Sequence, residues 1–140
     1  MPVSVHRVRY YYATVEEVPG QTYAILSQLA ACGVDLLAFT AAPVGPRHVQ
    51  WSLFPADTKE FEDVSHDIGL PVVAVQDALL VQGDDRLGAL AELHERLSGA
   101  RVEVYATSGV TAGNERFGYV IYVKPDEIDR AAAALGARPT

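Results

Sequence analysis

The sequence predicts an α+β protein in which one β-α-β-β-α-β unit is used twice. Three observations carry the prediction. An acidic turn ending in glycine occurs at Glu16-Glu17-Val18-Pro19-Gly20 and again at Asp84-Asp85-Arg86-Leu87-Gly88, and a helical pattern follows each. The interval of 68 residues from Gly20 to Gly88 carries Thr22, Ile25 and Leu29 onto Leu90, Leu93 and Leu97, positions that share one helical face. The same interval sets Val34-Asp35-Leu36-Leu37-Ala38 over Val102-Glu103-Val104-Tyr105-Ala106, and Val49 to Phe54 over Phe117 to Tyr122. A register held through a turn, a helix and two strands marks an internal duplication.

The elements follow in order. Val8 to Val15 is rich in tyrosine and β-branched residues and forms the first strand, stopped by the turn at Glu16 to Gly20. Gln21 to Cys32 is a helix, with Gly33 placed to end it in a left-handed conformation. Val34 to Ala41 is a short apolar strand, Pro43-Val44-Gly45-Pro46 is a turn, and Val49 to Phe54 alternates as a strand does. Asp57 caps a second helix through the Asp-x-x-Glu pattern with Glu60, Phe61, Val64 and Ile68 share its apolar face, and Gly69 ends it. Pro71 to Val75 closes the unit. This is the split arrangement of ferredoxin-like domains, with helices on one face of an antiparallel sheet.

The second unit repeats the order with Leu79 to Gln82, Ala89 to Leu97, Arg101 to Thr107, Phe117 to Lys124 and a helix from near Asp126 to Gly136. The repeats divide as residues 1–76 and 77–140. Only Ala137-Arg138-Pro139-Thr140 follow that last glycine, and proline is a poor ladder residue, so the second repeat is expected to lack its fourth strand. The open edge beside Leu79-Leu80-Val81 then needs a cover. Either Val3-Ser4-Val5-His6 fold back onto it, or another chain pairs there to make a homodimer.

Composition narrows the function. The chain has 140 residues, 49% of them hydrophobic, and a net charge of −7 spread along its length. Its arginines are scattered and form no basic stripe, so neither nucleic acid nor an anionic membrane is an expected partner. The start of the chain has no signal-peptide progression and no apolar run reaches the length of a membrane span, which predicts a cytoplasmic protein. The single cysteine, Cys32, allows no disulfide framework and reads as a small buried hydrophobe. His6, His48, His66 and His94 have no metal-ligand spacing, and the pairs Glu16-Glu17 and Asp84-Asp85 are poor chelates because adjacent strand residues point apart. No nucleophile, phosphate-loop or dinucleotide motif is present, and neither a metal nor any other cofactor is expected. Gly109-Val110-Thr111-Ala112-Gly113-Asn114 reads as a flexible hairpin.

Chemistry concentrates at the two strand-to-helix turns. Glycine there permits close approach of backbone to a ligand, and the free N–H groups of a helix start favour a carboxylate. An ammonium group needs acceptors, which Asp35 or Glu103 provide at the start of the next strand. As alternatives, both glycines simply make tight turns, and both acids are solvated.

The turn and strand-start residues, Val15 to Gly20 with Ala31 to Leu36, and Asp84 to Leu90 with Ala100 to Val104, resemble those of the ACT domain, a small regulatory module of amino-acid metabolism. The family's usual pattern is an acidic residue, a basic residue, proline and glycine, and, after the helix, glycine, a small apolar residue and asparagine. The first copy keeps Pro19 and Gly20 but has Val18 at the basic position and Asp35 at the asparagine position. The second keeps Arg86 but has Leu87 for proline and Glu103 for asparagine. The resemblance implies a stand-alone tandem regulatory protein, without catalytic activity, that binds an amino acid at the seam between repeats or chains. The implied ligand-binding residues are Val18, Pro19, Gly20, Gln21, Val34, Asp35 and Leu36 in the first copy and Arg86, Leu87, Gly88, Ala89, Val102 and Glu103 in the second. It further implies a homodimer and action in trans on a partner enzyme. Two other readings stand beside it: a small α+β-barrel enzyme with a cavity lined by Tyr12, Trp51 and Tyr119, and a ligand-free dimerisation module.

Overall fold

The computed structural model describes residues 3–139. It contains β1 (Ser4–Glu16), α1 (Gln21–Ala31), β2 (Leu36–Pro43), β3 (His48–Pro55), α2 (Thr58–Ile68), β4 (Val73–Asp84), α3 (Ala89–Gly99), β5 (Val104–Gly113), β6 (Arg116–Val123), a 3-10 turn (Pro125–Glu127), α4 (Ile128–Leu135) and β7 (Arg138–Pro139). The chain divides into two compact units. One is Arg9–Gln76; the other joins the described residues up to Val8 to those from Asp77 onward.

The strand order is β2-β3-β1-β4 in the first unit and β5-β6-β4-β1 in the second, where β7 lies outside β1. The β-α-β-β-α-β pattern is therefore repeated. The duplication interval survives in detail: α1 and α3 are both 11 residues long and start at Gln21 and Ala89. The register Phe39↔Leu53 recurs as Thr107↔Ile121, and the irregularity at Leu36/Ala38 recurs at Val104/Ala106.

The N-terminal segment supplies one of the two covers expected for the open edge beside Leu79-Leu80-Val81, since β1 lies next to β4. The first strand starts at Ser4, and its first half belongs to the second unit instead of the first. Val3-Ser4-Val5 alternates apolar and polar residues, so one face can be buried. Val5, 5% exposed, lies in the core with Leu79, Val81, Leu93, Phe117 and Leu135. Arg7 fastens the strand, its Nε 2.7 Å from Asp77 on β4 and its Nη1 2.6 Å from Asp129 on α4. The second unit's own last strand shrinks to β7, which pairs in parallel with β1 through His6↔Arg138 and Arg7↔Pro139.

Two further boundaries differ. The strands read at Pro71 to Val75 and Leu79 to Gln82 are one strand, because no glycine or proline interrupts the chain between Pro71 and Gly83. The Gly109 to Gly113 stretch is not a flexible hairpin: it completes β5, and the reversal is confined to Asn114 and Glu115 at φ 52 and 58. Two successive positive φ values match the twist of a two-residue hairpin.

Each unit packs helices on a sheet face. In the first, Leu29 and Phe61 meet Tyr11, Ala13, Trp51 and Leu53. Asp57 caps α2 by accepting from the Glu60 N–H at 3.0 Å, and Gly69 ends it at φ 76. In the second, Leu93, Leu97, Ile128 and Ala131 meet β4 and β6. Among the described residues, no helix is long and apolar enough to cross a membrane.

Candidate functional site

The two strand-to-helix turns have the same geometry. Gly20 and Gly88 precede α1 and α3 at φ 86 and 85, and no side chain caps either helix, unlike α2. A β-carbon at either glycine would meet nothing within 4 Å. The glycines serve the left-handed backbone rather than close packing. The turns are braced alike: Glu17 N–H donates to the Arg47 carbonyl at 2.8 Å and Asp85 N–H to the Glu115 carbonyl at 2.6 Å. Gln21 N–H donates to Val18 O and Ala89 N–H to Arg86 O. Val18, Pro19 and Leu87 project into solvent, whereas Ala89 is buried.

The strand-start residues stand elsewhere. Within each unit the strand after the first helix runs antiparallel to its neighbour, which in turn runs antiparallel to the strand before the helix. Asp35 and Glu103 therefore lie at the opposite ends of α1 and α3 from Gly20 and Gly88. An 11-residue helix separates them by roughly 16 Å. One small ligand cannot touch both groups within one unit. Val34 and Val102 close the helices, their N–H groups donating to Leu29 O and Leu97 O at 3.0 and 2.9 Å. Asp35 and Glu103 are exposed, and Leu36 is half-buried.

Hollows lie beside both ends of α3. Beside its start, about 360 Å³ opens between Leu90, Val110 and Tyr119, with Asp85 and Arg86 at the mouth. Arg86 pairs with Glu92 of the first turn. Gly109 faces Tyr119 across the ladder, and a β-carbon there would come within 2.7 Å of the ring. At the far end, a shallow hollow of about 540 Å³ is lined by Leu97, Val102 and Val104, with His94, Ser98, Arg101 and Glu103 at its rim.

Tyr12 and Trp51, expected to line one cavity with Tyr119, do not share a sheet face. Tyr12 alternates with Tyr11 and Ala13, which face the helices with Trp51, so Tyr12 lies on the opposite sheet face. Trp51 and Tyr119 belong to the cores of different units. His94 is half-buried, and its Nε2 lies 2.8 Å from Tyr119 Oη. Leu26 occupies its place in the first copy, where the buried Trp51 Nε1 has no partner among the described residues. Cys32, expected to be buried, is exposed just past the end of α1.

The sequence reading missed Arg101. It adopts φ 60, a left-handed conformation, at the position held by Gly33 in the first copy. The duplication interval itself was the available signal, since it sets an arginine over a helix-ending glycine.

No protein-family model and no curated protein sequence matches the chain. Solved structures do. A protein from Bacteroides thetaiotaomicron is similar with a TM-score of 0.76 at 19% identity, over 96% of this chain and 88% of that one. The ligand-free regulatory subunit of aspartate kinase from Thermus thermophilus gives 0.62 at 15% identity, over 97% and 95%. Aspartate kinase from Synechocystis gives 0.63 at 14%, over 99% of this chain and 27% of that one. The chain thus shares the duplicated α+β fold of the regulatory subunit of aspartate kinase.

Proposed function

We propose that the protein is an amino-acid-binding regulatory protein without catalytic activity, acting in trans on an enzyme of amino-acid metabolism. It works in the cytoplasm as a homodimer. The observation that carries the reading is the uncapped start of α3 beside the Leu90–Val110–Tyr119 hollow. A carboxylate there meets the first-turn N–H groups and the positive end of the helix. Asp85 is an acceptor for the ammonium, and the hollow accommodates an apolar side chain. The turn at Gly20 offers the same backbone, with Val18 in place of Arg86. The fold agrees with this reading, since it is shared with a protein described as a regulatory subunit. Regulation follows if the ligand favours one conformation or assembly over another.

A thermal-shift screen against the twenty amino acids tests the proposal. A ligand at a hundred times its dissociation constant stabilises by about 2.7 kcal/mol, which moves the midpoint by several degrees. The expected result is a shift with an apolar amino acid that is lost in Arg86→Ala and Asp85→Asn. A flat screen on folded protein overturns amino-acid binding. A hit unaffected by both substitutions overturns the α3-start site.

A further inference from the structure

The two copies of the repeat serve as each other's reference, and their differences around the far end of α3 converge. The apolar floor of the 540 Å³ hollow, Leu97, Val102 and Val104, matches Leu29, Val34 and Leu36 in the first copy. At its rim Glu103 keeps the acidic character of Asp35, but the other three residues do not match. His94, Ser98 and Arg101 stand where the first copy has Leu26, Ala30 and Gly33. Three apolar or absent side chains have become polar around one concavity.

Arg101 is held there against its conformational preference. A side chain at φ 60 is disfavoured by about 1 kcal/mol relative to glycine. The turn is fixed from behind by Arg130 of α4, whose Nε lies 2.9 Å from Ala100 O and whose Nη2 lies 3.1 Å from Arg101 O. Glu127 accepts from the Glu103 N–H at 2.9 Å and pairs with Arg130 at 3.2 Å. Arg130 also covers carbonyls at the negative end of α3, which would otherwise repel an anion. Glu103 has a cation of its own, with Lys124 Nζ 3.7 Å away. The Arg101 guanidinium makes no ion pair among the described residues.

We infer that this hollow is a binding site for a small carboxylate, distinct from the site at the start of α3. The Arg101 guanidinium takes the carboxylate in a two-point contact, the geometry for which arginine is suited. Ser98 and His94 supply further hydrogen bonds, and Leu97 and Val104 receive the carbon skeleton. The first copy, with Leu26, Ala30 and Gly33, has no such site.

Titration of ¹⁵N-labelled protein with succinate, at constant ionic strength set with sodium chloride, tests the inference. Amides from Ser98 to Glu103 are expected to shift saturably, and those from Leu87 to Leu90 to stay still. Arg101→Gly restores the residue of the first copy in a conformation glycine adopts freely, so the fold is kept. Its affinity for succinate is expected to fall at least tenfold, a loss of about 1.4 kcal/mol. Arg101→Lys, which keeps the charge but not the fork, is expected to fall between the two. Undiminished binding in Arg101→Gly, no saturable shift at residues 98–103, or equal binding of inorganic phosphate would each overturn the carboxylate site. None of these results bears on amino-acid binding at the start of α3, which Arg86→Ala reports separately.

Discussion

Val5→Ala measures how firmly the N-terminal strand is built into the second unit. Val5 is 5% exposed and packs with Leu79, Val81 and Leu93, whereas Val73, also on a strand, is 65% exposed. The same substitution at both positions removes the same atoms. At Val5 the two lost carbons are worth about 0.8 kcal/mol each in transfer free energy, and the cavity left behind brings the total to about 2–3 kcal/mol. At Val73 the expected cost is below about 0.5 kcal/mol. The small β-propensity difference between valine and alanine enters both measurements and largely cancels. Urea unfolding followed by far-UV circular dichroism gives the two values from the midpoints, provided the slopes agree. A difference of about 2 kcal/mol is expected. Equal costs would mean that the N-terminal strand does not pack into this core, and the partition of residues up to Val8 with the second unit would be wrong.

Other consequences are open to direct measurement. Asp57→Ala removes the side-chain cap of α2 and should cost about 1 kcal/mol in the same urea assay. Tyr11 is buried, and its hydroxyl donates to Glu62 at 2.5 Å. Burial first, and then the Glu62 contact, push its pKa up to about 12. The folded value exceeds the unfolded one, so this contribution is complete below pH 10 and is lost as pH rises towards 12. Urea midpoints taken from pH 8 to 11.5 should fall in the wild type and fall less in Tyr11→Phe. Gly69→Ala forces a side chain to φ 76 at the end of α2 and should cost about 1 kcal/mol; no loss would mean the helix ends elsewhere.

The fold was legible because its signals are local and occur twice. The Asp57 cap and the glycines at 20, 33, 69, 88 and 136 mark helix boundaries by backbone chemistry that needs no tertiary contact. What was not legible depended on partners distant in the chain. Val3-Ser4-Val5-His6 was legible as one of two covers for the second unit's edge, but the choice between it and another chain rests on contacts such as those of Arg7 with Asp77 and Asp129, which exist only once the sheet has formed. The site residues divide in the same way. The turns at Gly20 and Gly88 were readable from composition, but their distance from Asp35 and Glu103 follows from strand direction. The His94 contact was not legible because helical periodicity does not reveal that Tyr119, 25 residues away, offers it a hydroxyl.

The brace behind Arg101 bears on how its strain is tolerated. Glu127 and Arg130 correspond by the repeat interval to Lys59 and Glu62, so the charges are reversed between the copies. In the first copy Glu62 turns to Tyr11, and Lys59 pairs with Asp63 along the helix. There the helix-ending turn is made by Gly33 at φ 82, which adopts that backbone without strain. In the second, an unfavourable arginine coincides with two side chains that hold its turn by three contacts and pair with each other. A brace of this kind is needed where a side chain must be presented in a fixed direction, and it is redundant where glycine alone makes the turn. Removing the brace with Arg130→Ala should therefore destabilise the natural chain more than the Arg101→Gly chain, and a double-mutant cycle gives that difference directly. Equal costs in the two backgrounds would mean that Arg130 supports α4 alone and does not offset the strain at Arg101.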